Sequence, residues 1–260
     1  LAAEKDHPGH GGAGKQVGED AFSLTEFPDD FEFGPGGLAV LWAEENTRDA
    51  LFAAMQRREA YGTSGTRPVV RFFGGWEYPD DLCSSPDFAT EGYAKGVPMG
   101  GRLSAPPTGA GAPRFAVRAF KDAGTGDAAG LPLQRVQIVK GWLADGELHE
   151  RVYEVAGGDN GASVDVNSCE PQGEGAASLC SVWSDPDFDA DASAFYYARV
   201  LENPSCRWSQ YVCLEAKVDC SDAGSVPEGL QECCSDDHRR VQQERAWTSP
   251  IWYTPLRGRP

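Results

Sequence analysis

Arg135-Val-Gln-Ile-Val-Lys-Gly-Trp-Leu-Ala-Asp-Gly-Glu-Leu-His-Glu-Arg-Val-Tyr-Glu-Val155 decides the fold class. Two β-branched and aromatic runs, Arg135–Lys140 and His149–Val155, flank Asp145-Gly146, and an Asp-Gly pair between such runs is a hairpin signal. Working outward, Val69–Phe73, Phe115–Phe120, Ala194–Leu201 and Pro250–Tyr253 have the same strand character and are separated by Gly, Pro and Asp turns. Six or more short strands from Val69 onward, with no convincing helix until the cysteine cluster, predict an antiparallel sandwich.

Toward the N-terminus the character changes. Leu38–Ala43 reads as a short buried strand, and a helix follows it. Asn46 or Thr47 can cap that helix, Asp49 lies in its first turn, and Arg57 and Arg58 lie in its last. Leu51, Phe52 and Met55 are expected on its buried face, and Tyr61–Gly65 ends it. One strand–helix unit cannot make a parallel sheet by itself, so it calls for neighbours. The expected organisation is mixed α/β over 1–66, then a mainly β sandwich over 67–260 with a cysteine-rich loop at 206–234.

The 260 residues carry a formal net charge of −17, and no basic cluster interrupts it. That excludes a nucleic-acid partner, since phosphate binding needs a basic face. The longest strongly apolar run, Leu38–Ala43, is far below the roughly 20 residues of a bilayer helix, so no membrane span is expected. The chain starts at Leu1 with neither a signal peptide nor an apolar segment, which leads to the expectation of a start internal to a longer precursor.

Eight cysteines bear on the compartment. Cys206, Cys213, Cys220, Cys233 and Cys234 crowd together, with Cys83, Cys169 and Cys180 upstream, and none forms the C-x-x-C pair usual for structural zinc. Disulfides in an oxidising compartment are the reading preferred over metal binding: secreted, periplasmic or on the cell surface. Connectivity stays open among about 105 pairings. Cys169 with Cys180, which would close a Gly-rich loop, is the single pairing expected.

Several stretches together resemble a known family. They are Gly37-Leu-Ala-Val-Leu-Trp-Ala-Glu-Glu-Asn-Thr-Arg48, Arg57–Thr63, Val70-Arg-Phe-Phe-Gly-Gly-Trp76, Gly92–Gly101, Gln137–Trp142, Trp183–Asp189, Ala194–Arg199 and Ser249–Tyr253. In this order they are similar to the bacterial family called domain of unknown function 3604. The resemblance implies an exported relative of the polymerase-and-histidinol-phosphatase (PHP) superfamily of metal-dependent hydrolases. Those proteins have a distorted α/β barrel holding two or three divalent metals, here followed by a β-sandwich. It further implies that residues 1–66 end the barrel, that manganese, zinc or a similar ion belongs to the parent protein, and that the missing N-terminal barrel half is this chain's partner. The family's last ligands are usually an Asp-x-His near the barrel's end. Asp6-His7 is adjacent rather than spaced, so that pair does not carry over, and the chain is expected to begin just after it. The cysteine cluster is not general to the family and reads as an elaboration of one branch.

Other residues attract chemistry more loosely. Gly9-His-Gly-Gly-Ala-Gly-Lys15 has phosphate-loop spacing, but Gln16 replaces the Ser or Thr that holds magnesium, and no strand precedes it. Read as a Gly-rich loop with free N–H groups, it could contact a small anionic substrate through His7, His10 and Lys15, or be a surface connection. Glu44, Glu45 and Arg48 follow a strand end where α/β sites form, and they suit helix capping equally well. Asp185, Asp187 and Asp189 alternate like a calcium loop, although Ala190 and Tyr196 replace its Gly and bidentate Glu, and a solvated turn is the competing reading. There is no Gly-x-Ser-x-Gly elbow and no unpaired nucleophilic cysteine. The expected function is the catalytically incomplete C-terminal part of an exported metal-dependent hydrolase of phosphoester or related bonds. The alternative is a non-catalytic, disulfide-stapled β-rich structural or surface-assembly subunit.

Overall fold

The computed structural model describes residues 36–126, 129–144, 146–222 and 224–255. The N-terminal part comprises β1 (Leu38–Leu41), α1 (Arg48–Arg57), β2 (Ala60–Thr63), β3 (Val69–Gly75), α2 (Phe88–Lys95) and β4 (Gly96–Pro98). The centre is built from β5 (Arg114–Phe120), β6 (Leu133–Ala144), β7 (Glu147–Gly157), β8 (Ser163–Val164), β9 (Pro171–Gln172) and β10 (Ser178–Ser184). There follow β11 (Ala194–Glu202), β12 (Ser205–Cys206), α3 (Trp208–Glu215), β13 (Val241–Gln242), β14 (Arg245–Thr248) and β15 (Ile251–Tyr253).

Two antiparallel sheets face each other. The larger runs β1-β2-β14-β11-β6-β7, with β15 also on β11, and the smaller runs β10-β5-β3-β4. Strand alternation sends Val136 and Ile138 of β6 and Tyr196, Ala198 and Val200 of β11 to the inner side, where they meet Val70, Phe72, Phe115 and Val117 of the small sheet. β3 is apolar on both faces for a reason: Phe73 points outward into a second cluster with Tyr78, Leu82, Phe88 and Ala116, which α2 helps cover. α2 was not foreseen, because Gly92 weakens the helical pattern. A Cβ at Gly92 would come within 2.6 Å of the Phe73 ring, so the glycine lets helix and sheet approach.

The strand–helix unit departs from expectation in three ways. β1 pairs antiparallel with β2, and β2 pairs with β14, so residues 38–63 are the edge of the large sheet. Position 66/67 is therefore no boundary in the sheet. Buried Glu59 reinforces this, reaching Arg71 of β3 at 3.7 Å and accepting a hydrogen bond from Tyr93 of α2. The buried face of α1 is also corrected. Ala54 is the buried residue, whereas Phe52 and Met55 are 59% and 55% exposed. The helix is pinned by its end: Arg58, left-handed at φ 57°, caps it and donates to the Gly100 carbonyl at 3.1 Å. Nothing described stands over the opposite side.

All eight cysteines are paired, as Cys83–Cys180, Cys169–Cys206, Cys213–Cys233 and Cys220–Cys234. The expected Cys169–Cys180 bridge is thus replaced. Cys180 of β10 lies opposite Arg118 of β5, and the guanidinium of Arg118 donates to the Cys83 carbonyl on that side. Cys169 instead meets the first strand of the cysteine-rich region. Four disulfides are consistent with a non-cytoplasmic protein, and no helix among the described residues is long and apolar enough to cross a membrane.

Candidate functional site

At one end of the sandwich the inner face of the large sheet turns polar. The alternation that buries Val136 and Ile138 also points Lys140 and Trp142 inward, and on β7 it sends Arg151 and Tyr153, the cross-strand partners of Lys140 and Ile138, the same way. Lys140 is 4% exposed. Its ammonium donates to the Asp185 carboxylate at 2.6 Å and to the Asp187 carbonyl at 2.6 Å. The Tyr196 hydroxyl donates to the same Asp185 oxygen at 2.7 Å. Closer to solvent, Asp187 accepts from Arg151 and from Tyr153, each at 2.6 Å.

The alternating aspartates are turn formers. Asp185 accepts the amide of Asp187 at 3.0 Å and Asp189 that of Asp191 at 2.9 Å, two successive Asx turns across Pro186 and Ala190. Asp185 and Asp187 place their oxygens on Lys140, Tyr196, Arg151 and Tyr153, while Asp189 accepts the Asp191 amide. Among the described residues no group of three or more His, Cys, Asp or Glu is placed to hold a metal ion. The charges follow the contacts. The Tyr153 and Arg151 donors hold the Asp187 carboxyl below its ordinary range, while burial and then the bond to Asp187 push the Tyr153 phenol up to about 12. Burial first, and then Asp185, raises the Tyr196 phenol.

Lys140, Trp142, Arg151, Asp187, Asp189 and Tyr196 line a recess of about 350 Å³ between the β6–β7 hairpin, the 185–192 loop and the start of β11, with Asp185 and Tyr153 behind them. Ala144, Ala192 and Ala194 leave it room, and the Trp142 ring forms a side, stacked on His149 at 5.3 Å. Lys140, Trp142, Arg151, Tyr153 and Tyr196 were not singled out from sequence. The signal was there: a lysine at an inward position of an otherwise apolar strand must find a buried anion.

Other expected site residues do not converge on the recess. Glu45 accepts a hydrogen bond from Thr47 at 3.0 Å, Thr47 caps α1, and Arg48 opens that helix on its exposed side. His7, His10 and Lys15 lie outside the described residues, as does Asp145 of the hairpin turn, whose neighbour Gly146 has φ 81°. The Asp-x-His spacing does occur at Asp236–His238, just after the cysteine-rich loop. There His238 Nε2 stands 3.0 Å from the Ser209 hydroxyl.

A second buried carboxylate lies at the far end of β11. Glu202 is fully buried, and among the described residues neither of its oxygens has a hydrogen-bond partner. The Thr66 hydroxyl faces it and favours the ionised form, yet the two do not meet in hydrogen-bond geometry, and that hydroxyl is also buried without a partner. Burial, with Glu244 and Asp122 adding repulsion and Lys121 opposing it, pushes the Glu202 carboxyl up to about 7.

No curated protein and no solved structure matches the chain. The model of one family, described as a protein of unknown function (DUF3604), matches residues 3–255. With nearly the whole chain covered, this protein belongs to the DUF3604 family.

Proposed function

We propose that this chain is the catalytically incomplete C-terminal part of an exported metal-dependent hydrolase of phosphate or related ester bonds. In this reading the missing N-terminal barrel half of the same precursor holds the divalent metals, manganese or zinc, and activates water on them. His7, His10 and Lys15 would face a small anionic substrate at the barrel mouth, and the protein would work outside the cytoplasm, secreted, periplasmic or at the cell surface.

One observation supports it best. β1 is the outermost strand of the large sheet, and α1 beside it exposes Phe52 and Met55, with Leu38 of β1 40% exposed. Large apolar side chains gathered on one edge element mark a contact surface, here one that a barrel could cover. The pairing of all eight cysteines favours a second reading, a disulfide-stapled structural subunit.

Assaying p-nitrophenyl phosphate with manganese or zinc separates them. The full precursor should turn it over in a chelator-sensitive way, purified 1–260 should not, and Phe52→Asp with Met55→Asp should weaken the precursor's activity by loosening the barrel. Chelator-sensitive turnover by 1–260 alone would show that the active site lies within this chain. An inert precursor would leave the structural subunit.

A further inference from the structure

We propose that the recess beside Trp142 is a binding site for a neutral sugar ring. The inference is independent of the hydrolase reading, since a precursor inert toward esters would still carry the site. Its argument is one of charge and shape. Lys140 and Arg151 bring two cations, and Asp185, Asp187 and Asp189 bring three carboxylates, so the formal balance is −1. An anionic ligand would therefore find both cations already matched and would face Asp189, whose side chain, among the described residues, accepts only the Asp191 amide. A metal ion would have to strip carboxylates from Lys140 and Arg151, and no ligand triad stands ready. A cationic ligand over Trp142 would meet the Lys140 ammonium, already 5.3 Å from that ring.

What remains is a neutral ligand with one apolar face and many hydroxyls. Trp142 supplies a flat apolar wall, and the aliphatic C–H face of a pyranose matches such a wall. The Arg151–Asp187 pair offers donors and an acceptor side by side in fixed orientation, held by Tyr153 from behind. Neighbouring sugar hydroxyls, each both donor and acceptor, are satisfied by that arrangement. Asp189 adds an acceptor. The three alanines leave a recess at the small end of the usual range for ligand sites, a size for one ring rather than a long chain. The Lys140–Asp185–Tyr196 network below is buried and satisfied, so it holds the wall and the loop in place before any ligand arrives.

Saturation-transfer NMR with the methyl pyranosides of glucose, galactose, mannose, xylose and N-acetylglucosamine tests this on the chain 1–260. At least one should bind, with Kd near about 1 mM, as befits a small exposed site. Its transfer should be strongest on the C–H protons of one ring face. Trp142→Ala should abolish the signal. Because that ring also packs against the core, Asp189→Ala, on a surface loop, serves as the second variant and should weaken binding by about tenfold without changing Tm. Inorganic phosphate and calcium chloride should not compete. Transfer from none of the five sugars, binding unchanged in both variants, or displacement by phosphate would each overturn the proposal.

Discussion

Two of the carboxylates buried beside β11, Asp185 and Glu202, lie near opposite ends and are treated in opposite ways. Asp185, next to Tyr196, has an ammonium, a phenol and a backbone amide within hydrogen-bond distance. Glu202, at the end of the strand, has nothing that completes a hydrogen bond. Burying a charge is costly unless it is paired and hydrogen-bonded, so the two sites solve one problem by different chemistry. Asp185 is met by the Lys140 ammonium at 2.6 Å. Glu202 keeps its proton. The first solution is a hydrogen-bonded ion pair; the second makes that end of the sandwich sensitive to pH.

The largest effect should come from breaking the satisfied site. Lys140→Ala leaves Asp185 buried without its cation, which costs about 3–5 kcal/mol of stability, read by urea denaturation at neutral pH. The double change Lys140→Met with Asp185→Leu removes both charges and should recover most of that loss, because an apolar pair of similar volume often replaces a buried ion pair at little cost. A double variant no better than Lys140→Ala would mean that the network is retained for its geometry, the Lys140 bond to the Asp187 carbonyl included, rather than for its charge balance.

Glu202 should show itself through pH. Its folded carboxyl titrates at about 7 against an ordinary value of 4.5. A raised acid favours folding while protonated, so the contribution is fully present below 4.5 and is lost as pH rises through 7. Two and a half units correspond to about 3 kcal/mol. Other carboxylates in this acidic chain add their own slopes, so the measurement is a difference: Glu202→Gln against the parent from pH 4.5 to 8.5. The variant should gain on the parent steadily with pH and level off above 7. Parallel curves would mean that Glu202 is ionised and paired in solution.

How much of this contrast was legible in sequence follows from strand phase. The central strands were readable because β-branched residues and turn signals recur at strand spacing, and the hairpin was readable from Asp145-Gly146. Once β6 and β11 are in phase, even-numbered positions point inward, which places both Lys140 and Glu202 inside. Periodicity does not say which loop brings a partner. Asp185 reaches Lys140 across 45 residues, and the alternating aspartates drew the reading toward calcium rather than toward a lysine partner. The disulfide expectation failed for the same reason: Cys83 and Cys180 are 97 residues apart, joined by the small sheet and not by any local loop. Phe52 and Met55 had helical spacing toward a core, but spacing alone cannot show whether anything covers that face.

The smallest effect is also the sharpest test of whether Glu202 is truly alone. The Thr66 hydroxyl faces its carboxylate, and among the described residues that hydroxyl is itself buried without a partner. Thr66→Val keeps the branched shape and removes the hydroxyl. At pH 5.5, where Glu202 is protonated, removing an unpaired buried polar group should leave stability unchanged or raise it by up to about 1 kcal/mol. At pH 8.5 the ionised carboxylate loses a neighbouring hydroxyl that favours its charge, so the gain should shrink or change sign. The Glu202 titration in the variant should shift upward, since Thr66 acts to lower it. Melting curves at the two pH values suffice to read the sign. A loss of more than about 1 kcal/mol at pH 5.5 would show that the hydroxyl does bond the protonated carboxyl. Glu202 would then be a satisfied group like Asp185, and the contrast between the two ends of β11 would fall.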